Sequence, residues 1–217
     1  MFKRAGRIPW ALAAIAMIRA ALSLYEATGE RSYFGQALAW QNSFDKHYAD
    51  AETGAYFLSS DDADDLVLRP HSTQDDATPN PNSVAAQNLV RLAVFSGDDS
   101  WRTRADRLIE VILSAAERNL FGHFALLNAL DLRLRAAEIV VTGPNAGRLA
   151  RAALNLAYLD RIVLRASSAA DLPSAHPAQE KLKAAPGSAA FVCIGERCSL
   201  PVTDATQIAP AVSAMRQ

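Results

Sequence analysis

The residues best suited to chemistry lie in one stretch. Between positions 69 and 82 the chain carries Arg69, His71, Asp75, Asp76, Asn80 and Asn82, with Pro70, Pro79 and Pro81 among them. Carboxylates and amides hold hydroxyl groups, and an acid/base pair moves a proton in sugar chemistry. Asp75 or Asp76 is the candidate catalytic base. Arg69 or His71 would support a developing charge, and Asn80 and Asn82 are candidate binding amides. His123, in Phe121-Gly122-His123-Phe124, starts a helix and is a further binding candidate. A structural reading stands beside this one. Asn82 and Ser83 are good N-cap residues for a following helix, the prolines fix the loop, Arg69 can pair with an Asp, and His123 can cap or pack.

Other polar clusters carry less. Asp61, Asp62, Asp64 and Asp65 lack the spaced ligands, the Gly and the closing Glu of a calcium loop, and read as a solvated turn. Cys193 and Cys198 have four residues between them. A redox pair usually has two, and a zinc site needs two further ligands. Two reduced structural thiols are expected, with a labile disulfide or a metal as alternatives. Gly143-Pro144-Asn145-Ala146-Gly147 lacks both the dinucleotide fingerprint and the Walker Lys, and no Gly-x-Ser-x-Gly elbow occurs. No metal and no cofactor is therefore expected.

The elements that must position these residues follow from an internal repeat. Positions 24–33 and 92–101 match, with Gly29 on Gly97, Tyr33 on Trp101 and Ala37 on Ala105, about 68 residues on. Each Gly suits the left-handed residue that ends a helix, and the acidic and Ser residues after it suit the start of the next. The unit is a helical hairpin. One hairpin cannot bury its apolar face alone, so a repeat of them implies a solenoid or a closed toroid. The spacing predicts helices at 11–27, 31–48, 83–95, 99–117 and 122–136. Within the insert after the second helix, 54–58 and 66–69 read as two short strands around a turn at 59–65. The texture changes after Ala137. Positions 138–144 read as a strand and turn, 145–158 as a helix, and 161–165 and 189–194 as strands, an order that fits a parallel crossover. The stretch 166–187, rich in Ala, Ser and Pro, reads as a surface loop.

The N-terminus imitates a signal peptide, with Lys3, Arg4 and Arg7 ahead of an apolar run at 8–18. That run is short of the roughly 20 residues that span a bilayer. Beyond Arg19 the same helix continues through 20–25, so a partly buried helix is expected and no membrane partner. Hydrophobic residues at 50% and charged residues at 21% exclude a disordered chain and a coiled coil. Ala, about a fifth of the chain, favours helices. Lys+Arg at 22 against Asp+Glu at 23 gives no electrostatic case for nucleic acid. Two Cys exclude a disulfide-dense scaffold.

Several motifs together resemble one family: Leu24-Tyr25-Glu26-Ala27-Thr28-Gly29, the stretch 50–57, Arg69 with 75–86 (Asp75-Asp76-Ala77-Thr78-Pro79-Asn80-Pro81-Asn82 and onward), Glu138-Ile139-Val140-Val141-Thr142-Gly143, and Cys193 to Pro201. They are similar in order and spacing to the thioredoxin-domain-containing proteins related to spermatogenesis-associated protein 20. The resemblance runs from about residue 17 to 204, with Ala55 where a second Gly is usual. It implies a cytoplasmic protein with an (α/α) toroid similar to those of N-acylglucosamine 2-epimerase and the six-hairpin glycosidases. The loop 69–82 would open onto the toroid's central cavity. The family's thioredoxin-like domain would lie upstream of residue 17, so the chain reads as the C-terminal third of a family member.

The expected fold is mainly α: an atypical N-terminal segment at 1–16, a partial (α/α) toroid of helical hairpins at 17–137, and a small α/β unit with a C-terminal tail at 138–217. Two functions remain open. One is a sugar-binding or sugar-converting toroid in which Asp75, Asp76, Arg69 and His123 converge on a concave face. The other is a non-catalytic interaction or redox-partner module. Five helices where a closed toroid has about twelve leave open edges, so self-association is expected, beginning with the run 8–18.

Overall fold

The computed structural model describes residues 10–63, 66–117, 119–185 and 187–217. The atypical segment 1–16 therefore lies largely outside the described residues, as do Asp64 and Asp65. Five helices come first: α1 (Trp10–Thr28), α2 (Arg31–Tyr48), α3 (Pro81–Ser96), α4 (Asp99–Ala116) and α5 (Phe124–Arg135). Then follow β1 (Ala137–Thr142), α6 (Ala146–Leu154), β2 (Arg161–Arg165), α7 (Gln179–Lys183), β3 (Ala189–Ile194), β4 (Arg197–Cys198) and α8 (Ile208–Met215).

The repeat is visible atom by atom. Gly29 and Gly97 are both left-handed, with φ of 77° and 70°. The Gly29 N–H donates to Tyr25 O and the Gly97 N–H to Ala93 O. Thr28 and Ser96 each turn their hydroxyl back onto the carbonyl four residues earlier, at 2.7 Å, and each accepts the N–H two residues on, at 3.1 Å. α1, α3 and α5 form one row in which α3 touches both neighbours; α2 packs on α1, and α4 packs on α3 and α5.

The row is not open at its first helix. β2 and α6 pack on α1. Arg165 donates to the carbonyls of Glu26 and Ala27. The α/β part also covers both hairpin turns, since a side chain at Gly29 would meet Arg165 and one at Gly97 would meet Pro173. The expectation that 8–18 forms a broken edge is corrected accordingly. Ala11, Ile15 and Ile18 are fully buried, because α1 lies between α3 and the sheet; residues 8 and 9 are outside the described residues. By length and composition alone, Ala11–Thr28 is long and apolar enough to cross a membrane, longer than the run counted from sequence. In the fold 39% of that window is buried, against α2, α3 and the sheet. At the other end of the row, α5 leaves Leu127 and Leu134 exposed, two turns apart on one face.

The sheet has the order β2-β1-β3-β4. β1 and β2 are parallel, joined by α6 as the strand–helix–strand pattern predicted, and β3 returns antiparallel to β1. Alternation decides the faces. Val140, Ile162, Leu164 and Phe191 pack toward the helical hairpins, while Ile139, Val141, Val163 and Val192 pack against α6 and α8.

Three further expectations are corrected. The stretches 54–58 and 66–69 form no strands; single bridges join Ala49 to Tyr56 and Phe57 to His71. The stretch 166–187 is not a plain surface loop. It contains α7 and buries Leu172, His176, Ala178 and Leu182 under the sheet's helical side. Cys193 and Cys198 are joined in a disulfide instead of standing as reduced thiols. The two-residue turn at Gly195, with φ of 57°, sets them directly opposite in the β3–β4 hairpin.

Candidate functional site

The loop 69–82 folds back on its own neighbours before anything else, and most of its polar groups are used there. Arg69 is held by backbone carbonyls and an aromatic ring. Its guanidinium donates to Ser59 O at 2.9 Å and His47 O at 2.8 Å, and lies 4.2 Å over the Phe57 ring. His71 stacks on the same Phe57 ring, with centroids 4.3 Å apart, and meets Asp50 at 3.2 Å. Asn80 caps α3: its side-chain oxygen accepts Ser83 N–H at 3.0 Å, and its amide donates to Ser72 Oγ and Gln74 O. Asn82 pairs with the backbone of Tyr56, accepting its N–H at 2.7 Å and donating to its carbonyl at 3.0 Å. His123 is fully buried at the N-terminus of α5 and donates Nδ1–H to Asn119 O at 2.7 Å. Its buried Nε2 has no partner among the described residues.

Asp75 and Asp76 are different. They line a cleft of about 470 Å³ whose walls come from the row of helices: Arg19 of α1, Val84 and Gln87 of α3, Phe124 and Asn128 of α5. The remaining lining is Ala125 of α5, the turn 77–79 and Leu159. Asp75 has both oxygens committed, one to Asn80 N–H at 2.7 Å and one to Ala125 N–H at 2.8 Å. It thereby caps α5 from outside the helix and holds the loop against it. The Asp76 carboxylate makes no hydrogen bond or ion pair among the described residues and is exposed. So the structure brings Asp75 and Asp76 to the cleft, and leaves Arg69, His71, Asn80, Asn82 and His123 out of its lining.

Among the lining residues, Arg19, Gln87, Phe124 and Asn128 carry polar or aromatic groups that the sequence reading does not single out. Gln87 binds both neighbours of α3, accepting from Arg19 at 3.1 Å and donating to Ala125 O at 3.1 Å. Arg19 and Gln87, 68 residues apart, occupy equivalent positions of the two hairpins. Asn128 follows Phe124 by one helical turn, and Phe124 is exposed. A signal for Arg19 was present: it is the one charged residue between Ala11 and Tyr25. A lone Arg in an apolar helix is costly unless something uses it. Burial, followed by the charge of Arg91, pulls its pKa down to about 10, so it stays protonated at neutral pH.

Behind the cleft α1, α3 and β2 are locked by a buried ion pair. Glu26 meets Arg91 at 3.2 Å and accepts Val163 N–H at 3.4 Å. Burial lowers the Arg91 pKa, with Glu26 opposing the shift. Among the described residues no group of three His, Cys, Asp or Glu side chains is placed to hold a metal ion.

No protein-family model matches the chain. It is similar to spermatogenesis-associated protein 20 of Homo sapiens, 29% identical over 201 residues that cover 88% of this chain and 26% of the relative. To the Mus musculus protein of that name it is 30% identical over 206 residues, 88% of this chain and 25% of the relative. The Rattus norvegicus protein is 28% identical over 201 residues. The chain is thus related to these proteins over most of its own length, and spans about a quarter of theirs.

Proposed function

We propose that the cleft between α1, α3 and α5 binds a small hydroxylated molecule, a carbohydrate, on the inner face of a partial (α/α) toroid. One observation carries this reading. An uncommitted carboxylate (Asp76), an open amide (Asn128) and an exposed aromatic ring (Phe124) meet around a cleft whose volume lies within the range of small-molecule sites. Carboxylate and amide oxygens take hydroxyl protons, and the ring offers a flat apolar surface to the C–H face of a sugar. If the bound sugar is also converted, Asp76 is the residue with oxygens free to move a proton, and Asp75 holds the loop. Calorimetric titration of the full chain with a panel of neutral hexoses and N-acetylhexosamines tests it. Asp76→Asn and Asn128→Ala are each expected to weaken binding about tenfold, the loss of one hydrogen bond to a charged or polar group. Unchanged affinity in both variants would remove the reading.

The second reading, an interaction module, is favoured by the exposed Leu127 and Leu134 face at the end of the helix row. We propose self-association of two copies through it. Sedimentation equilibrium should then show a concentration-dependent dimer that Leu134→Glu abolishes; a wild-type monomer throughout would end it.

A further inference from the structure

The cleft has a charge asymmetry that a neutral sugar does not use. Arg19 donates to an amide oxygen, Gln87 Oε1, and has no carboxylate partner among the described residues. Two more guanidiniums, Arg91 and Arg161, act on it electrostatically, and one carboxylate, Glu26, opposes them. Glu26 is already engaged with Arg91 and with Val163 N–H. Arg161 is spent on the carbonyls of Ala153, Leu154 and Tyr158, where it closes the end of α6. Arg19, Arg91 and Arg161 against the single carboxylate of Glu26 leave an excess of positive charge around Arg19. A half-buried guanidinium in that setting gains most from an anion brought in from solvent, which it can grip with two parallel N–H bonds. Across α3, at the α5 side, the cleft carries Asp75 and Asp76. Those carboxylates repel an anionic group and accept hydroxyls, so they fix which way round a ligand enters.

We propose that Arg19 is the anion-holding end of the cleft, and that its ligand is a hydroxylated organic anion, a sugar acid or a sugar phosphate, with the anionic group on Arg19 and its hydroxyls toward Asp76 and Asn128. The hydroxyl end rests on the carbohydrate reading above; the anion end rests on Arg19 alone. The probes are glucose, glucuronate, glucose 6-phosphate and inorganic phosphate, titrated calorimetrically into the full chain at low ionic strength. At least one anionic sugar is expected to bind tenfold or more tightly than glucose, and added salt should shrink that ratio. Whether glucuronate or the 6-phosphate leads distinguishes the carboxylate from the phosphate. In Arg19→Gln the ratio should fall to about one, and Arg19→Lys should keep part of it; thermal melts of both variants establish that they are folded. Glucose binding as tightly as both anions, or a ratio that survives in folded Arg19→Gln, overturns the anion end and leaves the carbohydrate reading standing. Inorganic phosphate binding through Arg19 while no sugar binds supports the anion end and ends the carbohydrate reading. No binding by any of the four probes overturns both.

Discussion

Arg91→Met is expected to lower the free energy of unfolding by about 3–5 kcal/mol, because it strands the Glu26 carboxylate in the core. Both side chains are almost wholly buried, at 4% and 8% exposure. The substitute fills most of the volume, so cavity formation contributes little, and it removes the Arg91 Nη1 that has no partner of its own. What remains is an anion held by one long bond from Val163 N–H, with its nearest counter-charge gone. The control is the double variant Glu26→Gln/Arg91→Met. A neutral amide keeps an acceptor for Val163 and carries no charge, so the pair removed together should cost clearly less than Arg91→Met alone. Urea unfolding of the three chains measures this. A single-variant loss below about 1 kcal/mol would mean that water reaches Glu26 and that the joint of α1, α3 and β2 is not sealed.

That joint explains what was legible in the sequence and what was not. The hairpin turns at Gly29 and Gly97 are local events: a glycine at the left-handed position and a hydroxyl folding back onto the last carbonyls. Local chemistry is written in adjacent residues, so the repeat and the five helices came out close to their observed bounds. The crossover of β1, α6 and β2 was legible for the same reason, from alternating periods. The failures are non-local. Tyr56 and its neighbours have strand-forming composition, but the Asn82 side chain takes both backbone groups of Tyr56 and leaves no ladder to extend. The stretch 166–187 has loop composition, but Pro173 meets the Gly97 turn, about 75 residues back in the chain, and Leu172 is buried in the core. Nothing near either stretch announces its partner.

The site shows the same division. Density of polar side chains pointed to 69–82, and two of its residues do line the cleft. The density arose because a strandless insert needs many side-chain hydrogen bonds to satisfy its backbone. Arg69, Asn80 and Asn82 serve that need. The cleft wall comes from residues one or two helical turns apart on three separate helices, and in sequence Arg19 read as the end of an apolar run.

Asn82→Ala separates those two uses of the loop. Asn82 is 1% exposed and makes three hydrogen bonds, to Tyr56 N–H at 2.7 Å, Tyr56 O at 3.0 Å and Ser72 O at 3.0 Å. Truncation leaves a buried N–H and two buried carbonyls facing a small void. Each such group costs about 1–3 kcal/mol when water cannot reach it, and carbonyls with a second lone pair sit at the lower end, so a loss of about 3 kcal/mol is expected. Asn82→Asp should cost more than the alanine. The carboxylate keeps the Tyr56 N–H bond, but replaces two donors with a buried negative charge set against two carbonyl oxygens. Both effects belong to folding, and differ from what a ligand-binding amide would give. Urea melts give the stability order wild type, then Asn82→Ala, then Asn82→Asp. Titration of Asn82→Ala under conditions where it is fully folded should return wild-type sugar affinity within about threefold, since the side chain faces Tyr56 and Ser72 and takes no part in the cleft lining. An unchanged melt with lost binding would put Asn82 in the site and return the whole 69–82 loop to the functional reading.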